Sequence, residues 1–172
     1  MIFLSLYSYA IFILADKPYS LSSSWLGLSF LTYLSGTIGS ALVGKIDHKI
    51  FGSQGIILGT ILIMIGIAIT RYDNLFATIG ALLVNGFGFF IAHSSISTWV
   101  NQYAHGAKAS ATSLYLVFYY LGASAGNTYL FLFWQWQQWQ EVVIGATNTL
   151  FIPLLAVLWL RKVERTYLQG KP

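Results

Sequence analysis

Residues Gly44 to Gly55 read GKIDHKIFGSQG, with two lysines, an aspartate and a histidine confined to one short gap. The runs beside it, Trp25 to Val43 and Ile56 to Thr70, contain no Asp, Glu, Lys or Arg. Charge is excluded from long stretches and collected between them, and the alternation continues outward. Met1 to Ala15 is apolar and is broken by Asp16-Lys17-Pro18, while Arg71 to Asn74 closes the third run. Leu75 to Val100 ends at Asn101 to Lys108, Ala109 to Trp134 precedes a tract rich in Trp and Gln, and Val142 to Leu160 precedes a basic tail. A charged side chain at the centre of a bilayer costs roughly 2.5–3.5 kcal/mol on insertion scales, so this succession of charge-free runs points to lipid. Four of the six runs come close to the length of about 20 residues that crosses hydrocarbon. The third gains a turn from Phe51 to Gln54. The first covers only about 22 Å of helix at 1.5 Å per residue and is expected to be a clipped span.

The 172-residue chain is 56% hydrophobic and only 8% charged, against about 25% charged in soluble domains. The expected fold is all-α: a polytopic membrane helix bundle with six transmembrane helices over residues 1–160 and a basic cytoplasmic tail over 161–172. The net charge of +4 is spread out, without the basic stripe that nucleic acid requires. With no cysteine, disulfides, Cys-ligated zinc and thiol catalysis are excluded. There is no HExxH motif, no cluster of acids, and the three histidines are far apart. Ser94 next to His93 is no dyad, because adjacent residues on a helix point apart. Neither an enzyme nor a cofactor or metal site is expected. Lys45, Lys49, Lys108, Arg161, Lys162, Arg165 and Lys171 follow the even-numbered runs, against Lys17 and Arg71 after the odd ones. That bias puts the even-numbered gaps and the C-terminus in the cytoplasm.

Helices in lipid meet where small residues let backbones approach. Gly36, Ser40 and Gly44 in the second run, Gly55 and Gly59 in the third, and Gly122 and Gly126 in the fifth repeat at that spacing. Three polar stripes also hold helical spacing: Ser29, Tyr33, Gly36 and Ser40; Ala81, Asn85, Gly88, Ala92 and Ser95; and Ser113, Val117, Tyr120, Ser124 and Asn127. Phe87 and Phe90 are expected to face lipid instead. Two roles stay open for the stripes: interhelical hydrogen bonding, worth about 0.6 kcal/mol on average, or the wall of a water-filled cavity. Tyr7, Tyr33, Asn85, Tyr120 and Asn127 are the cavity candidates. A tyrosine-rich wall without buried Arg suits a neutral or cationic amphipathic molecule. No carboxylate lies inside a run, and His93 is the intramembrane group that ordinarily titrates near neutrality. It is a candidate proton relay, or a histidine hydrogen-bonded beside Ser94 and Ser95.

The opening stretch resembles the repeated cytoplasmic motif of the major facilitator superfamily: a glycine, an acid, a basic residue, then glycine. Here Gly44, Asp47, Lys49 and Gly52 match by position, with the acid three rather than four residues after the glycine. Ser53-Gln54 stands where the final basic pair belongs. PYSLSSSWLGLSFLTYLSGTIGS, GFGFFIAHSSISTWV and AKASATSLYLVFYYLGASAGNTYLFLFW are similar to the C-terminal half of bacterial inner-membrane members. The resemblance implies half of a twelve-helix fold, with substrate bound between two six-helix halves, and it implies that Asp47 and Lys49 belong to a cytoplasmic latch. The implied function is a secondary transporter working by alternating access, for efflux of a small amphipathic molecule or metabolite, and inactive as this half alone. The implied partners are the lipid bilayer, a small-molecule substrate and a missing N-terminal half or a second half-transporter, in a bacterial inner membrane. The alternatives are a non-transporting membrane scaffold or subunit, or the product of a truncated gene.

Overall fold

A computed structural model describes residues 2–45, 48–72, 74–104, 106–137 and 139–169. Every apolar run becomes helical, and among the described residues there is no strand. The elements are α1 (Ile2–Ala15), α2 (Ser23–Ser29), a 3₁₀ turn (Phe30–Thr32), α3 (Tyr33–Lys45), α4 (His48–Ile69), α5 (Leu75–Tyr103), α6 (Lys108–Gln137) and α7 (Trp139–Gln169). Ser23–Lys45, Leu75–Tyr103, Lys108–Trp136 and Trp139–Lys162 are long and apolar enough to cross a membrane, while Phe3–Ala15 and Ser53–Ile69 are shorter. The basic segment expected after residue 160 continues α7 as far as Gln169.

The second run differs from the uniform helix its composition suggests. The Tyr7 hydroxyl lies 2.6 Å from Thr32 Oγ1 and donates to the Leu82 carbonyl at 2.8 Å. Ser35 Oγ contacts the carbonyls of Thr32 at 2.6 Å and Leu83 at 2.8 Å. These bonds engage Thr32 by both its hydroxyl and its carbonyl, at the turn that tightens to 3₁₀. Opposite them is Gly86 of α5, where a Cβ would stand 3.0 Å from Ser35 Oγ and 3.1 Å from the Thr32 carbonyl.

α5 packs against α1, α3, α4 and α6, most extensively against α4. A Cβ on Gly59 of α4 would run into the Gly88 carbonyl, and one on Gly66 would lie 3.0 Å from the Ala81 carbonyl. The two backbones are thus in direct contact, which dispersion and close carbonyl approach can hold together without hydrophobic drive. α3 meets α5 through Gly36 and Gly39, which sit against the Phe90 ring and the Phe87 carbonyl. Phe87 and Phe90 therefore do not project freely outward as expected, because the missing side chains of those glycines leave room for them. Gly44, by contrast, has open space around it and makes no close approach.

One side of α1 is enclosed, with Phe3, Tyr7, Ala10 and Leu14 packed with Leu82 of α5. Leu6 and Tyr9 join Ile63 and Ile67 of α4, Leu130 of α6, and Val142, Val143, Ala146 and Leu150 of α7. Asn74 starts α5 as its N-cap, with Oδ1 accepting from the amides of Phe76 at 2.8 Å and Ala77 at 3.4 Å. Trp139 Nε1 donates to the Thr70 carbonyl at 3.1 Å and ties the start of α7 to the end of α4.

Candidate functional site

The three polar stripes have different fates. Ala81, Asn85, Gly88, Ala92 and Ser95 are all buried, on the side of α5 that α4 covers. The α3 stripe is covered as well: Gly36 is buried under Phe90, and Ser94 Oγ lies 3.0 Å from Ser40 Oγ. The side chain of Ser29 lies outside the described residues. The α6 stripe is the opposite case, with Ser113, Val117, Tyr120, Ser124 and Asn127 all exposed.

The five cavity candidates do not form one group. Tyr7 is buried and anchored to Thr32 and Leu82, with Tyr33 beside it, ring centroids 4.8 Å apart. Asn85 is wholly buried beside Gly66, and neither its Oδ1 nor its Nδ2 finds a hydrogen-bond partner. Tyr120 is 64% exposed on α6. Asn127 lines an open groove of about 610 Å³ between α1 and α6. In that groove Tyr9 and Phe12 approach Trp134 at 5.3 and 6.0 Å between centroids, and Asp16 adds a carboxylate. Of the motif residues, Gly44 is in the last turn of α3, while Lys49 and Gly52 lie at the start of α4 with side chains outside the described residues. Asp47 lies outside the described residues.

A second cavity, of about 410 Å³, opens between α4, α5, α6 and α7, with Phe3 of α1 at one side. His93 is on its wall, its Nδ1 2.6 Å from the Tyr115 hydroxyl. The imidazole lies nearly parallel to Phe89, 5.5 Å away at 14°, and 5.1 Å from the Tyr119 ring. His93 pairs with Tyr115 on the next helix, while Ser94 pairs with Ser40 and the Ser95 hydroxyl is buried without a partner among the described residues. Tyr115 was not singled out by the stripe reading, which follows polar residues on one helix at a time. The signal that could have found it is the pair of four-residue steps Phe89–His93 and Tyr115–Tyr119, two aromatic ladders on consecutive helices.

Apolar helices long enough to cross a bilayer, packed glycine against glycine around aromatic-lined hollows, are the makings of a polytopic membrane protein. The chain is 34% identical over 158 residues to the inner membrane transport protein YnfM of Escherichia coli (strain K12), covering 92% of this chain and 36% of that one. It is 34% identical to the uncharacterized MFS-type transporter YybF of Bacillus subtilis (strain 168), over 91% of this chain and 38% of the relative. An uncharacterized transporter of Buchnera aphidicola subsp. Schizaphis graminum is 34% identical over 95% of this chain and 39% of its own length. The chain is therefore a homologue of major-facilitator-type transporters, and it spans somewhat over a third of the length of the curated relatives it matches. No protein-family model matches it, and no solved structure matches it.

Proposed function

We propose that this chain is the C-terminal, six-helix half of a secondary transporter that works by alternating access and exports a small amphipathic molecule across a bacterial inner membrane. The observation that carries the proposal is the α6 stripe: Ser113, Tyr120, Ser124 and Asn127 form a polar surface left exposed among the described residues. Polar groups at membrane depth need protein or water beside them. A second half facing α6 supplies both, and relatives more than twice as long have room for one.

In this reading Tyr120 and Asn127 face the substrate path, Tyr7 and Tyr33 hold the helices behind it, and Asn85 lies buried there. The aromatic groove with Asp16 at its end fits a neutral or cationic amphipath better than an anion. Asp47 and Lys49, between Gly44 and Gly52, take the latch position, with the C-terminus on the same cytoplasmic side. His93 and Tyr115 form the candidate relay.

The test is reconstitution. Alone in proteoliposomes the chain should give no coupled transport, and co-expression with the first half of a full-length relative should restore it. Robust transport by the purified monomer, or none from the complemented pair with both halves inserted, overturns the proposal.

A further inference from the structure

We propose that the cavity between α4, α5, α6 and α7 is a binding site for an uncharged aromatic amphiphile bearing a hydroxyl or amine hydrogen, admitted sideways between α6 and α7. This site is separate from the α1–α6 groove and does not depend on the transport reading, apart from its lateral route of entry.

Its volume, about 410 Å³, lies within the range of about 300–1,000 Å³ typical of small-molecule sites. Among the described residues no Asp, Glu, Lys or Arg lines it, so a charged ligand would be desolvated there without compensation. Phe89 and His93 lie nearly parallel, with Tyr119 tilted against the imidazole, and a flat ring can join this cluster with the offset or edge-on geometry aromatic groups prefer.

The polar atoms on the wall suit a ligand whose hydroxyl or amine can both give and accept a hydrogen bond. Thr60 and Thr149 spend their hydroxyl hydrogens within their own helices, on the carbonyls of Ile56 and Gly145, each at 2.8 Å. Pro153, also on the wall, has no N–H, so the Thr149 carbonyl four residues earlier loses its regular helical donor. An acceptor is thereby freed on α7. On the other side Tyr115 occupies His93 Nδ1, leaving Nε2 as the ring nitrogen a ligand can reach. Nε2 donates to a hydroxyl oxygen when Tyr115 gives its hydrogen to Nδ1, and accepts in the other tautomer. The mouth is apolar: Phe118 of α6 is 66% exposed and Ile152 of α7 is 68% exposed, beside Pro153. A molecule dissolved in lipid meets no polar barrier there.

The probe is 2-naphthol, added to the full chain purified in detergent and read by its fluorescence against empty micelles. Naphthalene and 2-naphthalenesulfonate are the comparators. Saturable binding of 2-naphthol is expected, with naphthalene about five- to tenfold weaker for want of one hydrogen bond and the sulfonate failing to saturate. Ile152→Trp should close the mouth and abolish saturation. Its site is exposed, so folding is preserved, and circular dichroism verifies this. Tyr115→Phe, the second variant, should weaken binding several-fold by removing the hydroxyl that positions His93. Linear uptake indistinguishable from empty micelles, wild-type binding by both variants, or equal binding of the sulfonate overturns the proposal.

Discussion

Gly59 on α4 and Gly88 on α5 face each other so closely that neither has room for a methyl group. A Cβ on Gly59 would fall 2.6 Å from the Ala92 amide nitrogen and 2.7 Å from its Cβ, besides striking the Gly88 carbonyl. All of these atoms belong to the helix itself, so no side-chain rotation relieves the clash, and α4 and α5 must part. Restoring normal contact takes a shift of roughly 1 Å, and a gap of about 0.5–1 Å forfeits a quarter to a half of the dispersion well for each atom pair it opens. Overpacking of this kind costs about 1–3 kcal/mol, and the fixed backbone puts Gly59→Ala towards the upper end. Gly80→Ala is the control, on α5 with nothing within 4 Å of its Cβ position. There alanine should be neutral or stabilise by up to about 1 kcal/mol through backbone entropy. Both variants are unfolded thermally in the same detergent and followed by circular dichroism. Gly59→Ala should melt well below the parent and Gly80→Ala at or above it; equal melting of the two would refute the backbone contact.

Single-cysteine variants at Tyr120 and Asn85 should differ sharply towards a water-soluble maleimide on the isolated chain, with rapid labelling at 120 and protection at 85. Comparable rates would mean that the buried α5 stripe is open to water. Asn74→Ala removes the acceptor for the first amides of α5 and should destabilise the chain by about 0.5–2 kcal/mol, read as a lower unfolding midpoint. Tyr7→Phe deletes the hydroxyl shared with Thr32 and Leu82 and should lose about 0.5–1.5 kcal/mol; an unchanged midpoint would remove these bonds from the account of the second run.

The helices were legible because lipid-compatible runs cannot hold charge, so Lys45, Arg71 and Lys108 mark ends that the structure places within a few residues. The 3₁₀ turn at Phe30–Thr32 was not legible. No glycine or proline announces it, and the bonds around Thr32 come from Tyr7, Leu82 and Ser35, most of them distant in the chain. Helical spacing identified the faces of α3, α5 and α6 but could not say what would cover each one. That depended on partners: Gly66 covers Asn85 and Phe90 covers Gly36, while Tyr120 is left 64% exposed. The Tyr115–His93 pair escaped for the same reason, since the steps Phe89–His93 and Tyr115–Tyr119 mark one face on each helix without saying that the two faces meet.

The contrast between α4–α5 and α6 has a mechanical consequence. Two rods touching main chain to main chain cannot slide, because each carbonyl that abuts a glycine acts as a tooth in a rack. α6 is held through side chains, by apolar tips and by hydrogen bonds such as Tyr115–His93, and side chains can tilt and repack. Any reshaping of this bundle will therefore leave the first pair as a stiff strut and take up its displacement at the second.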